Sequence, residues 1–182
     1  MHETFPNRLA FTDIEATGMW PPAGEIIEIG LVVAEAQTLE VVDRLNVKVR
    51  PTHIETAVAG ALRVSGYRPE DWQEAVSLRQ ALDQYVKRAH GAVFCAWRVA
   101  FDFSFLQFAL ETNGFLPKEH FTDHLCVYTM AWYVLREKHI KPFRLRQVAE
   151  YLGLPPEPEP HRAVNGAELA WAVYRKLMTG KV

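Results

Sequence analysis

Three β-type runs stand at the front of the chain, before any helical period appears, and this order most limits the fold. They are "RLAFTDIE" from residue 8, "EIIEIGLVVAE" from residue 25 and "LEVVDRLNVKVRP" from residue 39, the last stopped by Pro51. A helical zone follows. Its clearest member starts at Ser77, with Leu78, Ala81, Leu82, Tyr85, Val86 and Ala89 at helical spacing. Ser77 and Gln80 form a capping box, and Gly91 is the stop. "AVFCAW" is a short, buried fourth strand, and "DFSFLQFALETNG" is a helix closed by Gly114. "TDHLCVYTMAWYVLRE" mixes strand and helix signals. "LRQVAEYLG" and "AELAWAVYRKLM" complete the helices, and the proline-rich "PPEPEP" between them reads as an extended, solvated connector. Strands first, then helices alternating with further strands, make an α/β domain with a mixed sheet.

The chain has 182 residues, 49% of them hydrophobic and 12% aromatic, which predicts one domain over 1–182 with a sizeable core. A net charge of −2 excludes a uniformly basic surface for wrapping long nucleic acid, but not a local grip on a strand end. Cys95 and Cys126 lie in apolar surroundings and read as reduced residues of a cytoplasmic protein. No apolar run reaches the roughly 20 residues of a membrane span, and "MHETFPNR" has no signal-peptide pattern, so no membrane association is expected.

Three places have the residues for chemistry. In "FTDIEATG", strand alternation puts Leu9, Phe11, Asp13 and Glu15 on one face. Two neighbouring carboxylates repel, and burying them is costly. A hard divalent cation relieves both costs, and so does a strand end that has emerged into solvent. In "AVFCAWRVAFDFSFL", Asp102 follows a buried strand, where it reads either as a helix N-cap or as a third acid beside Asp13 and Glu15. In "HRAVNGAE", His161 has the residue type of a proton acceptor near neutral pH, or of a solvated cap. Gly166, five residues on, costs helix stability of roughly 1 kcal/mol relative to Ala and calls for a reason.

Together these motifs resemble the DnaQ-like, DEDDh 3′–5′ exonucleases, and the resemblance covers nearly the whole chain. "FTDIEATG" is similar to the first family motif, "VAFDFSFL" to the second and "HRAVNGAELA" to the third, in the family's order. The resemblance implies an RNase H-like fold, a mixed five-stranded sheet flanked by helices. It implies two Mg²⁺ or Mn²⁺ ions, with Asp13, Glu15 and Asp102 as metal-binding acids and His161 as general base. It implies contacts to the terminal nucleotide from Ala16, Thr17, Gly18, Met19 and Phe101, with Trp20 beside Met19; Arg98, which departs from the family pattern, reads as a phosphate contact or as a plain surface residue. The substrate it implies is the 3′ end of single-stranded DNA or RNA, with a DNA polymerase or a second copy of the chain as partner.

Two departures qualify the carry-over. The family's fourth acid falls on Gly166; Asn165 is neutral, and Glu168 points away by roughly 200° at 3.6 residues per turn. Trp97 and Arg98 stand where family members commonly have His-Asn. The expectation is therefore a 3′–5′ exonuclease weakened at the fourth acid. The alternative is a catalytically impaired module that binds nucleic acid or a polymerase on the same fold. "REKHIKPFRLR", Arg136 to Arg146, reads as a strand-backbone contact or as a plain solvated loop.

Overall fold

Nearly continuous burial along the first β-run marks it as the centre of a sheet covered on both faces. In the computed structural model, which describes residues 6–158 and 161–180, β1 (Arg8–Ala16) pairs antiparallel with β2 (Ile26–Glu35), which pairs antiparallel with β3 (Val41–Lys48). On its other edge β1 pairs in parallel with β4 (Ala92–Ala96), and β4 with β5 (Phe121–Cys126). The order is β3-β2-β1-β4-β5, the expected mixed five-stranded sheet.

Each sheet face carries its own core. Ala10, Ile14, Ile29, Leu31 and Phe94 pack against α2 (Leu78–Ala89) and α3 (Val99–Thr112), through Leu82, Tyr85, Phe105 and Leu106. Leu9, Phe11, Val32 and Cys95 face α4 (Val127–Leu135), α5 (Leu145–Tyr151) and α6 (Ala163–Met178), through Ala131, Val148, Ala170 and Val173. Thr12 points into the first core, where its hydroxyl pairs with that of Tyr85 at 2.6 Å, so the buried polar group is satisfied. The short α1 (Ala59–Ser65) contacts β1.

The capping box at Ser77 is present, with Ser77 Oγ accepting from the Gln80 N–H and Gln80 Oε1 from the Ser77 N–H. The mixed run after residue 121 divides into β5 and α4. Four expectations are corrected. The third strand ends at Lys48 rather than at Pro51, with Val49 bridging to Val76. The third helix starts at Val99, three residues before Asp102, so Asp102 is not its N-cap. The last helix starts at Ala163, so Gly166 lies in its first turn. The connector before it is not wholly solvated, because the Glu157 side chain is 17% exposed. Residues 159–160 of that connector lie outside the described residues.

Candidate active site

The site forms where β1 outruns its neighbour. Pairing of β1 with β4 stops at Phe11–Cys95, so the backbone beyond it needs other partners on that edge. Asp102, in the first turn of α3, provides one: its Oδ1 accepts the Ile14 N–H at 3.1 Å. Asp102 is 4% exposed. Burial pushes its carboxyl up to about 7, against the pull of the Ile14 N–H. Asp13 is held well above the usual carboxylate range, first by burial and then by the charges of Asp102 and Glu15.

Asp13 and Glu15 face α6, and β2 determines how near that helix comes. Asp13 is opposite Gly30 and Glu15 is opposite Glu28. A Cβ on Gly30 would lie 2.1 Å from the Ala163 carbonyl carbon, so only glycine admits the start of α6 here. Glu28 is fully buried beneath the same turn; burial raises its carboxyl, and the charge of Arg162 acts against that rise. Arg162 in turn lies over the Trp72 ring at 5.4 Å and near Asp71, which ties this turn to the segment before α2.

With α6 so placed, His161 reaches the acids. Its Nε2 is 2.6 Å from Glu15 Oε1 and 4.0 Å from Asp13 Oδ2. Its Nδ1 is 2.6 Å from Glu157 Oε1. The close carboxylate contacts, with Glu15 first and Glu157 second, raise the imidazole to about 11. Gly166 abuts Asp13: a Cβ there would meet Asp13 Oδ2 at 2.4 Å. Glu168 points elsewhere and binds Arg44 at 2.7 Å.

The donor set fits a hard divalent cation. Ligand atoms of Asp13, Glu15 and His161 lie within 4.8 Å of one another, and a cation there would offset the burial and the neighbouring acid charges that raise the Asp13 carboxyl. Asp102 is outside that group of atoms and acts on it through its charge.

The other predicted contacts divide by exposure. Ala16, Thr17 and Gly18 are buried. The Thr17 side chain turns into the fold, where its hydroxyl accepts the Glu25 N–H at 2.8 Å. Gly18 passes close to Gly24, with 3.1 Å from its would-be Cβ to the Gly24 Cα. Met19 and Trp20 project from this turn, 61% and 65% exposed. Arg98 is exposed at the start of α3, its guanidinium 4.8 Å from the Tyr128 ring centre. Phe101 is half-buried on Phe105. Sequence reasoning missed Glu157, and it left open the basic run, of which Arg144 and Arg146 line an open groove of about 580 Å³ with Asp13, His161 and Trp97.

An RNase H-like sheet with an acid cluster at the end of its central strand defines a class of nuclease folds. The exonuclease family model matches residues 10–174, and the chain belongs to that family, the DnaQ-like 3′–5′ exonucleases. The PolC-type DNA polymerases III of Thermotoga petrophila and Thermotoga maritima are 25% identical over 166 residues, covering 91% of this chain and 11% of theirs. Exonuclease I of E. coli in complex with a dT13 oligonucleotide superposes with a TM-score of 0.80 at 16% identity, over 96% of this chain and 41% of that one. Exonuclease I of Methylocaldum szegediense gives 0.80 at 17%, over 94% and 40%. The chain thus spans about a tenth of the polymerases it matches and about two fifths of the solved nucleases. Among the described residues, no helix is long and apolar enough to cross a membrane.

Proposed function

We propose that this chain is a divalent-cation-dependent 3′–5′ exonuclease acting on the end of a single strand. The observation that carries the reading is the convergence of Asp13, Glu15 and His161 within 4.8 Å, over a buried Asp102, in a groove flanked by Arg144 and Arg146. Asp13 and Glu15 are the residues that would hold Mg²⁺ or Mn²⁺, two ions on the family pattern, with Asp102 holding the negative field behind them. A bound cation supplies Lewis-acid polarisation of the phosphodiester and acidification of water.

The remaining steps belong to the protein. His161 accepts the proton of the attacking water at Nε2, the nitrogen turned toward the acids. Nε2 faces Glu15 Oε1 at 2.6 Å, and it would be free to take that proton once Glu15 turned to a cation. Arg144 and Arg146 take backbone phosphates. Met19 and Trp20 offer the exposed apolar surface on which a terminal base can stack.

Gly166 supports a second reading, a module with impaired catalysis. With no side chain there, one family carboxylate is missing from the wall facing Asp13, and cation affinity falls with it. The PolC-type match makes a polymerase the partner to test first, ahead of a homodimer. Incubation with 3′-labelled single-stranded DNA and RNA across Mg²⁺ and Mn²⁺ should release mononucleotides, with Asp13→Ala inactive. No release above the Asp13→Ala background at millimolar Mn²⁺ would leave the module reading in place.

A further inference from the structure

The proline-rich segment before α6 delivers an acid to the far side of His161. Glu157 stands between Pro156 and Pro158. Pro158 restricts the residue before it to extended backbone, and each proline ring fixes its own φ, so the segment is stiff where the carboxylate branches off. The Glu157 side chain is 17% exposed, less than the 33% of His161, and both line the groove that contains Asp13 and Gly166. Its Oε1 lies 2.6 Å from His161 Nδ1, while Nε2 on the other side of the ring lies 2.6 Å from Glu15. The ring is thus gripped at both nitrogens.

The two grips are not equivalent. Glu15 is a cation ligand in the proposed reaction, so it cannot also hold His161 during turnover. Glu157 is outside the cluster formed by Asp13, Glu15 and His161 and keeps its hold. An imidazole has two soft torsions and two tautomers, and a carboxylate on one nitrogen fixes both the ring plane and which nitrogen carries the hydrogen. We propose that Glu157 is the positioning residue of His161: it accepts the Nδ1–H and thereby presents a bare Nε2 to the water over Asp13 and Glu15. The assignment rests on the exonuclease reading, but the contact itself does not.

The test therefore has two arms on the full chain. In the first, kcat and KM for a 3′-labelled oligonucleotide are measured for Glu157→Ala and Glu157→Gln, each alone and with His161→Ala. Glu157→Ala should lower kcat roughly 10–100-fold, the range for removing a partner that orients a functional histidine. KM should stay within about twofold, as for an interaction made only in the transition state. Glu157→Gln retains an acceptor oxygen and should recover most of the loss. Neither change should matter once His161 is alanine. Equal losses for Ala and Gln, a kcat for Glu157→Ala unchanged from that of the unmodified chain, or a full further loss on the His161→Ala background would each overturn the proposal.

In the second arm, ¹⁵N-histidine-labelled protein is examined by NMR. A slowly exchanging Nδ1–H resonance assigned to His161 should be present in the unmodified chain and absent from Glu157→Ala. Its persistence in Glu157→Ala would overturn the positioning role. Presence of that resonance in a chain that cleaves nothing would uphold the contact while the exonuclease reading fails.

Discussion

Gly166 places bare helix backbone directly against the Asp13 carboxylate. Its would-be Cβ falls 2.8 Å from Asp13 Cγ, so the space a fourth acid would use is taken by the end of the Asp13 side chain. A carboxylate terminus on two torsions can swing aside, which makes Gly166→Asp a feasible substitution. In the absence of cations, the added charge beside Asp13 should lower stability. With Mn²⁺ present, the fuller carboxylate set should bind at least about tenfold tighter, equivalent to roughly 1.4 kcal/mol, and nucleotide release should rise with it. Isothermal titration with Mn²⁺ together with the release assay checks this; unchanged affinity would show that the fourth position is not a ligand position in this chain.

At this scale Asp13 and Glu15 were legible because strand alternation assigns faces without knowledge of the fold, whereas the partner of Asp102 required the divergence of β1 from β4. Glu157 was hidden by its setting. Prolines on both sides mark an extended segment, and extended segments are usually solvated. The available signal was an acid held between two rigid residues a few positions before a candidate base.

Among the elements, α6 carries the site, and its placement depends on β2. At the glycine opposite Asp13 helix backbone lies against sheet backbone, with the would-be Gly30 Cβ 2.2 Å from the Val164 nitrogen. Both neighbours are main chain, so neither can rotate away. Gly30→Ala should therefore push the start of α6 off the sheet, at the upper end of the 1–3 kcal/mol typical of overpacking or about beyond it. Denaturant unfolding should show that loss, and the nuclease rate should fall further than stability alone requires, because His161 moves with the helix. A variant as stable as the parent would mean that β2 yields instead.

Helices α2 and α5 were readable from helical spacing, and α2 also from its capping box. The β5–α4 boundary was not, because α4 is apolar around most of its circumference, with Trp132, Tyr133 and Val134 exposed. The true start of α6 was also hidden: Arg162 precedes it with no side-chain cap, and burial against Gly30 and Glu28 replaces the usual polar signal.

For the molecule as a whole, composition announced ample apolar material but not its division between two sheet faces, and strand order required the pairings, yet the buried acids give the whole fold a dependence on pH. The Asp102 carboxyl moves from an ordinary 3.8 to about 7, so between about pH 4 and pH 7 the native state retains a proton that the unfolded chain has lost. Its contribution is complete below that window and disappears as pH rises through it. Asp13 acts with the same sign. His161, raised from 6.5 to about 11, extends the fall: its contribution is whole below the unfolded value and declines toward the folded one. Metal-free protein in chelator should therefore melt at progressively lower temperature from about pH 5 to about pH 9. Cations reverse the sign, because they bind the ionised carboxylates and release these protons. The Mn²⁺-induced rise in Tm should be larger at about pH 8 than at about pH 5.5. Thermal unfolding at fixed ionic strength, with and without Mn²⁺, measures both slopes. A Tm that climbs with pH in chelator, or an equal Mn²⁺ gain at both values, would mean that the acids at the end of β1 are already ionised in the metal-free fold and that its stability is set elsewhere.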